Sequence, residues 1–468
     1  MFPLYHVHSV FDKLHNLLQK AFRSETAPTQ QTLMGICSTI LVLNSCPSIR
    51  RMFKQYLAET IEKNITSVYY TLNKAKLATE EWGRFLLYLA LTSTEEDLLA
   101  TYPVIIITDD TIVQKFGMHF DDVGSLFNHT AKKEPKYVNG HCFVTVQVLI
   151  PRKSQNGDVR YFATPISHSV WIPKKHDSEE EQSQEKSNSK LEMAFERINK
   201  IIQQIQKLTP KAKIQVLCDS WYAKSPMTGL IENENVGMIV NVRHDTCLHE
   251  LPQSYKGKGR PATRGAKINV SEIPLSSVPD TNYSIAHFTA IARVFSYKRV
   301  RVFITSCNRP GKKESRRVYI CTDPTALDSI SRLSLGGDGD KFIAFNSTFL
   351  PLALYWLRWK IETTYYEQKK FWGMTEYMLR SREGIDHIIN LQLFMYSLMG
   401  LLPYIDPVFE ELSELSMQER RFVLGKILLQ ERLLDTLLQT ARETQSAEKS
   451  KIIEKFLCER KDELKIGA

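Results

Sequence analysis

One stretch of the chain alternates between strand and helix patterns, which limits the fold to the mixed α/β class. Val104 to Thr108 is a mostly apolar run, and His141 to Ile150 and Val159 to Trp171 have the composition of two further strands joined by a tight turn. Leu191 to Leu208 then has helical periodicity and leads into a short apolar run, Ile214 to Cys218. This order of elements, a strand, a hairpin, a crossover helix and another strand, predicts a mixed α/β sheet.

Acidic residues follow two of these predicted strands. Asp109 and Asp110 come directly after the first apolar run, and Asp219 comes directly after Cys218. Open α/β sheets place their functional sites at the carboxyl ends of their strands. We therefore expect these acids to contribute to a site at one edge of the sheet.

A later helix carries a chemically mixed stripe. On a helix that advances about 100° per residue, the side chains of Tyr355, Arg358, Glu362 and Lys369 fall within an arc of about 60°. A carboxylate flanked by two cations and a phenol suits a protein that holds a metal ion and DNA phosphates at one place. Glu362 and the strand-end acids are oxygen ligands of the kind that Mg²⁺ and Mn²⁺ prefer. Two such ions about 4 Å apart can activate a water and stabilise the leaving oxygen of a phosphodiester.

Positive charge is concentrated in one segment of the chain. Between Arg243 and Arg317, fifteen Lys or Arg residues stand against five Asp or Glu, a net charge of +10 that exceeds the +9 of the entire chain. This balance favours a polyanionic partner, for which Lys298, Arg299 and Arg301 are candidate contacts. The alternative is an ordinary solvated basic surface.

The basic segment is also rich in strand patterns. Tyr283 to Phe295, Val300 to Cys307 and Arg317 to Thr322 alternate or run apolar, with Pro, Gly and Ser between them. We therefore predict a β-rich insertion over residues 243–345. Helical patterns resume from about residue 350 and continue towards the C-terminus.

These motifs together resemble the DDE transposases of bacterial insertion sequences, in particular the group with a Y-(2)-R-(3)-E-(6)-K signature. Tyr355, Arg358, Glu362 and Lys369 match that signature at all four positions and all three spacings. The segments 107–111 and 216–222 resemble the strands that carry the first and second catalytic aspartates of the family. The resemblance covers roughly residues 100 to 402.

The resemblance implies a ribonuclease-H-like catalytic domain with a β-rich insertion between the second Asp and the Glu, which is where the basic strands lie. It implies that two Mg²⁺ ions, which Mn²⁺ can replace, are bound by Asp110, Asp219 and Glu362, and that DNA near the cut is gripped by Tyr355, Arg358 and Lys369. Asp109 is the rival for the first position. We favour Asp110 because the family usually shows Asp followed by Thr, and strand alternation points only one of the pair into the site.

The implied activity is nicking of DNA at transposon ends to free a 3′-hydroxyl, followed by attack of that hydroxyl on target DNA. A homodimer is expected, since two transposon ends must be brought together. Two alternatives stay open, namely a stand-alone DDE endonuclease that never joins strands and a domesticated relative that binds DNA without cutting it. Aromatic residues could stack on an unpaired base, although core packing is the more common role; they are Trp221, Tyr365, Tyr366 and Trp372.

We predict three regions. Residues 1–100 form a helical, DNA-binding domain, residues 101–402 form the catalytic domain, and residues 403–468 form a helical region that could dimerise. Eight cysteines without CxxC pairing indicate neither a zinc site nor a disulfide framework. The first twenty residues lack the apolar core of a signal peptide, and the apolar stretch Ile388 to Leu402 fits a buried helix better than a membrane span. A cytoplasmic, nucleoid-associated protein with no membrane partner is expected.

Overall fold

The computed structural model describes most of the chain. The described residues are 4–43, 48–117, 119–128, 136–154, 156–172, 189–254, 257, 260–308, 315–323, 327, 330, 333–443 and 451. The polar segment that follows Trp171 in the sequence lies outside the described residues up to residue 188.

Among the described residues, helices predominate before residue 104 and after residue 321, and the strands lie between these positions together with one long helix. The α-helices are α1 (Leu4–Ala21), α2 (Ala27–Val42), α3 (Ile49–Met52), α4 (Ala58–Thr60), α5 (Ile65–Lys74), α6 (Thr79–Thr92), α7 (Glu96–Thr101), α8 (Lys190–Leu208), α9 (Asp338–Phe345), α10 (Leu350–Tyr355), α11 (Trp359–Phe371), α12 (Arg382–Ile405) and α13 (Met417–Glu443). The strands are β1 (Val104–Gln114), β2 (Gly124–Phe127), β3 (Tyr137–Lys153), β4 (Val159–Trp171), β5 (Ile214–Cys218), β6 (Val236–Val242), β7 (Leu248–His249), β8 (Ser276–Ser277), β9 (Tyr283–Ala292), β10 (Lys298–Cys307) and β11 (Arg316–Cys321).

The strands form one mixed sheet of 11 strands in the order β2-β3-β1-β5-β6-β11-β10-β9-β7, with β4 paired to β3 and β8 paired to β9. β1, β5 and β6 are parallel to one another. Every residue of β5 is buried, as expected for a parallel strand that is covered on both faces. The predicted α/β class is therefore confirmed.

The β-rich insertion continues this sheet. β9 and β11 both pair antiparallel with β10, and β11 in turn pairs antiparallel with β6. The three predicted strands are confirmed, with ends that differ from the prediction by at most three residues. The limits predicted for the insertion, 243 and 345, stay predictions.

The chain divides into two compact units, which are described separately. The first comprises Met1–Leu89, Val113–Val123 and Tyr366–Ala468 and is largely helical. Its helix α12 is long and apolar enough to cross a membrane, but 83% of its most apolar window is buried inside the protein, which is typical of a core helix. The second unit comprises Ala90–Ile112 and Gly124–Tyr365 and holds nearly the entire sheet. The domain limits predicted at residues 100 and 402 stay predictions.

Helix α10 and the start of α11 pack on the sheet within the second unit. A 3₁₀ turn, Trp356–Arg358, joins the two helices. Leu354 and Ile361 belong to the same buried apolar cluster as Ile107 of β1 and Leu217 of β5. Because the anchoring side chains are buried, the polar residues between and beside them are held at fixed positions next to the ends of these strands.

Candidate active site

The register between β1 and β5 decides which aspartates lie side by side. Ile107 is paired with Leu217 in the parallel ladder. Carrying that register two residues further aligns Asp109 with Asp219. Successive side chains of a strand point to opposite faces, so aligned residues of parallel neighbours share a face, and Asp110 points to the opposite one. β1 also continues to Gln114, beyond the end predicted from the sequence.

Arg358 links two carboxylates at this place. Its Nη1 donates a hydrogen bond to Oδ2 of Asp109 at 2.7 Å and lies 3.8 Å from Oε1 of Glu362. The side chains of Arg358 and Asp109 are only 13% and 15% exposed, whereas that of Glu362 is 45% exposed. Asp219 acts electrostatically on both Asp109 and Arg358. Arg358 therefore binds Asp109 and approaches Glu362, and Asp219 lies near enough to act electrostatically on Arg358 and Asp109.

Burial and the neighbouring charged groups change the pKa of Asp109. Burial is the main reason that the pKa of Asp109 is raised to about 7, and the negative charges of Asp219 and Glu362 act in the same direction, while Arg358 and the backbone N–H of Asp110 oppose the increase. Burial lowers the pKa of Arg358, but Tyr355 and the three acids outweigh burial, and the net shift is upward. An additional positive charge near these acids would favour the ionised form of Asp109.

Asp110 lies in a different environment. Nζ of Lys190 lies 2.7 Å from Oδ2 of Asp110, the hydroxyl of Tyr222 donates to Oδ1 at 3.1 Å, and the thiol of Cys142 donates to Oδ2 at 3.2 Å. Lys190 is the first residue of α8, whose N-terminus is fixed by a capping box between Ser189 and Glu192. Asp110, the residue favoured from the sequence, is thus engaged by Lys190 on the face opposite to Asp109.

The turn after β5 fixes the orientation of Asp219. Its Oδ1 accepts hydrogen bonds from the backbone N–H groups of Trp221 at 2.9 Å and Tyr222 at 3.2 Å. On the other strand, the hydroxyl of Tyr365 donates to the backbone carbonyl of Asp109 at 2.9 Å. The carboxylate of Asp219 and the backbone of Asp109 are therefore both fixed by hydrogen bonds.

Cys142, Lys190 and Tyr222 are neighbours of the acids that were not assigned to the site from the sequence, and Tyr365 was considered there only for base stacking. Tyr222 lies three residues after Asp219, and Tyr365 lies three residues after Glu362. Their proximity to the motifs could therefore have identified them from the sequence. Lys190 is 80 residues from Asp110 in the sequence. No local pattern predicts such a contact, because it depends on where α8 begins relative to the sheet.

The residues predicted to contact DNA differ in accessibility. Lys298 and Arg299 are exposed on β10, whereas Arg301 is only 7% exposed. Tyr355 is also only 7% exposed, and its ring packs on Tyr319 with centroids 4.9 Å apart. Burial is the main reason that the pKa of Tyr355 is raised.

Lys369 lies on α11, about two helical turns beyond Glu362. It belongs to the first unit, whereas Glu362 and Arg358 belong to the second. Of the four signature residues, the structure therefore places Arg358 and Glu362 at the carboxylate cluster and Tyr355 in the core beside it.

The donor atoms at the site fit a divalent metal ion by chemistry. Within the described ranges, no three His, Cys, Asp or Glu side chains are grouped closely enough to hold one ion. Asp109, Asp219 and Glu362 nevertheless supply hard carboxylate oxygens that already influence one another electrostatically. Oxygen ligands of this kind suit Mg²⁺ or Mn²⁺, and these three residues are the ones that could hold such ions.

Comparison with known proteins agrees with this chemistry. Among curated proteins no match to the chain was found. The family of DDE superfamily endonucleases matches residues 17–292, more than half of the 468 residues. The matched stretch contains Asp109, Asp110 and Asp219 and ends before the helix that carries Glu362. The α/β sheet flanked by helices is consistent with the ribonuclease-H-like fold of that superfamily, whose nucleases generally use divalent metals. The chain belongs to the DDE superfamily endonucleases.

Proposed function

We propose that the protein is a DNA transposase that cleaves DNA at transposon ends and transfers the freed 3′-hydroxyl into target DNA. The observation that carries this proposal is that Arg358 binds Asp109 and lies 3.8 Å from Glu362, while Asp219 acts electrostatically on both Arg358 and Asp109, in a chain that belongs to the DDE superfamily endonucleases. Family membership supports a nuclease that acts on DNA. The spacing of the four signature residues, Tyr355, Arg358, Glu362 and Lys369, supports the narrower assignment to transposition in bacterial insertion sequences.

In this proposal Asp109 takes the first catalytic position. Asp109 is favoured over Asp110 because it aligns with Asp219 and shares its electrostatic field with Glu362. The three carboxylates would hold two Mg²⁺ ions, for which Mn²⁺ can substitute. When bound, such ions supply an activated water or hydroxyl and stabilise the leaving oxygen. In this proposal Arg358 also binds a DNA phosphate next to the acids, because a guanidinium binds phosphate oxygens in pairs.

The DNA-contacting surface would extend beyond the acids. Lys369 and the exposed Lys298 and Arg299 are the accessible cations among the sequence-predicted contacts. Arg301 and Tyr355 are buried and would instead support neighbouring residues. The helical N-terminal region, residues 1–100, is proposed as a second DNA-binding element in a cytoplasmic, nucleoid-associated protein.

A homodimer is proposed because two DNA ends must react together. Helix α13 supports this proposal with a row of exposed apolar side chains, namely Phe422, Leu429, Leu433 and Leu437, which are between 45% and 60% exposed. On a helix these positions lie within about 80° of one another. A second copy of the chain is the partner that would bury this row, which we call the α13 ridge.

The proposal is tested with the purified full-length protein, Mg²⁺ and the DNA that flanks its gene. We expect cleaved ends followed by joined products. The substitutions D109N, D219N and E362Q should each reduce cleavage by more than about 100-fold, the upper end of the loss caused by removing outer-shell partners of a metal. DNA binding should stay within about threefold of the wild-type protein, while D110N should keep cleavage at a measurable rate.

The outcomes separate the alternatives. Near-wild-type cutting by E362Q would remove Glu362 from the mechanism. If D110N lost cleavage and D109N retained it, Asp110 and not Asp109 would take the first catalytic position. Cleavage without joining would identify a stand-alone endonuclease, and binding without cleavage would identify a domesticated relative.

A further inference from the structure

The turn that follows β5 exposes one indole beside the proposed catalytic acids. Trp221 is 42% exposed, whereas the next two residues, Tyr222 and Ala223, are only 1% and 6% exposed. Single exposed aromatic residues are common on protein surfaces and by themselves indicate no function. The surroundings of Trp221 are what distinguish it.

Cations flank the exposed indole. Nζ of Lys224 lies 5.8 Å from the ring centroid of Trp221, and Nζ of Lys190 lies 5.8 Å from Trp221 and 4.8 Å from Trp171. Lys190 is held by Asp110, whereas Lys224 is exposed. We call Trp171, Lys190, Trp221 and Lys224 the tryptophan–lysine row. It presents an aromatic face and positive charge on one surface.

The tryptophan–lysine row is connected to the candidate active site through the backbone of the turn that carries Asp219 and Trp221. The N–H of Trp221 donates to Oδ1 of Asp219 at 2.9 Å, so the indole and the proposed catalytic carboxylate belong to the same turn. The ring of Trp221 also packs edge-on against Tyr222, with centroids 4.9 Å apart, and Tyr222 is bound to Asp110. A ligand on Trp221 would therefore lie at a fixed place relative to Asp219.

We propose that the tryptophan–lysine row is a binding subsite for an unpaired nucleotide of the DNA strand that is cut. The base stacks on Trp221, and Lys224 binds an adjacent phosphate. Every base has a π-face, so such stacking tolerates any sequence. This inference rests on the proposed function, because it places the nucleotide at the turn that carries Asp219, one of the proposed catalytic acids.

The structure also selects Trp221 among the aromatic residues that could stack on a base. Tyr365 and Trp372 are 5% and 0% exposed, so neither presents a face to a ligand. Tyr366 is 61% exposed, but its ring packs against Phe371, with centroids 6.0 Å apart, and the structure gives it no cation comparable to Lys224 within the described residues. Trp221 alone among these four combines exposure with flanking cations.

The test measures DNA binding in EDTA, with no cleavage step. The probes are a single-stranded oligonucleotide of about ten nucleotides that carries 2-aminopurine and a duplex of the same sequence. We expect W221A to weaken binding of the single strand by about 5- to 150-fold, which corresponds to about 1–3 kcal/mol, and to abolish the quenching of 2-aminopurine. W221F should keep most of the affinity, and duplex binding should change by less than about twofold.

Tyr137 offers a matched control. It is 61% exposed, and its ring packs edge-on against Phe127 in the same way that Trp221 packs against Tyr222. Y137A should therefore bind the single strand like the wild-type protein. A further variant, K224A, should reduce the slope of log affinity against log salt for the single strand by about 0.7.

Two results would overturn the inference. One is single-strand binding by W221A within about twofold of the wild type. The other is an equal loss of affinity for single strand and duplex, or the same loss in Y137A, because either pattern indicates a general defect. Cleavage by the wild-type protein combined with unchanged binding by W221A would refute the subsite and leave the proposed function intact. Selective loss of single-strand binding in W221A, with no cleavage by the wild type, would support the subsite and refute the function.

Discussion

Asp109 and Asp110 are adjacent in the sequence but have different partners in the folded protein. Asp109 is ion-paired with Arg358 and is influenced electrostatically by Asp219 and Glu362, whereas Asp110 is bound by Lys190 on the other face of the strand. Burial, together with the charges of Asp219 and Glu362, outweighs the ion pair with Arg358 and raises the pKa of Asp109. An added cation near these acids would favour the ionised form of Asp109.

The raised pKa of Asp109 predicts a pH dependence of stability. Its pKa is about 7 in the folded protein, against an ordinary value of 3.8. The folded protein therefore binds this proton at a pH at which the unfolded chain has lost it, and the free energy of unfolding falls as the pH rises from about 4 to about 7. At about 1.4 kcal/mol per pKa unit the full effect is at most about 4 kcal/mol.

The measurement is urea unfolding of the wild type and D109N in EDTA between about pH 4.5 and 8. The wild type should lose stability relative to D109N across this range and level off above about pH 7, because the amide that replaces the carboxyl group in D109N does not ionise. Parallel pH profiles for the two proteins would show that Asp109 has no raised pKa.

A 3₁₀ turn between two helices determines where Tyr355 and Arg358 leave the chain beside the candidate site. The 3₁₀ turn Trp356–Arg358 interrupts the α-helical path between α10 and α11. In such a turn residues i and i+3 eclipse one another, so Tyr355 and Arg358 leave the helix on nearly the same side. Tyr355 packs into the core, and Arg358 extends beside it to Asp109.

Helix α13 packs against α2 within the first unit at a residue where only glycine fits. A Cβ at Gly425 would lie 2.5 Å from the backbone oxygen of Leu41. Arg421, one turn earlier, donates to the backbone oxygen of Ile40 at 2.8 Å and fixes the same crossing. The substitution G425A gains about 1 kcal/mol of helix propensity but forces two backbones apart, which costs about 1–3 kcal/mol.

We therefore expect G425A to lower the thermal unfolding midpoint. Gly229 provides the control, because a Cβ there would meet no atom within 4 Å of the described structure, and G229A should have little effect. A midpoint for G425A equal to or above that of the wild type would show that separating the two helices costs no more than the gain in helix propensity, which would contradict the prediction.

At the scale of the whole molecule, the positive charge of the insertion predicts salt-sensitive DNA binding. Replacing the exposed Lys298 and Arg299 by Ala should reduce the slope of log affinity against log salt by about 0.9 for each lost phosphate contact. The control replaces Lys211 and Lys213, which are also exposed in the second unit but lie outside the insertion. An unchanged slope in the first double variant would make this patch an ordinary solvated surface.

The α13 ridge predicts the oligomeric state. L433E places a charge in the middle of the ridge and should shift the protein from dimer to monomer in light scattering at micromolar concentration, because burying an unpaired carboxylate is unfavourable. L251E is the control, since Leu251 is a single exposed apolar residue outside the ridge. A wild-type protein that is monomeric with and without DNA would contradict the proposed dimer.

Local patterns were sufficient for much of this protein. The apolar run 214–218, the helix over residues 190–208 and the strands of the insertion were predictable within a few residues, because hydrophobic periodicity is a property of neighbouring positions. The sequence also identified Glu362 and the strand-end acids as candidates, since their spacing and order along the chain carry that information.

Only the tertiary structure decided which of these side chains meet. The sequence favoured Asp110 over Asp109, but the choice depends on how β1 pairs with β5, and a register slip of one residue would reverse the faces of both aspartates. The burial of Arg301 and the contact between Lys190 and Asp110 also depend on the tertiary structure, because both involve residues from distant parts of the chain. The sequence alone determined which helices and strands form and which chemical groups they carry. The pairing of strands and the packing of helices on the sheet determined where those groups lie relative to one another, because these interactions connect residues that no local pattern relates.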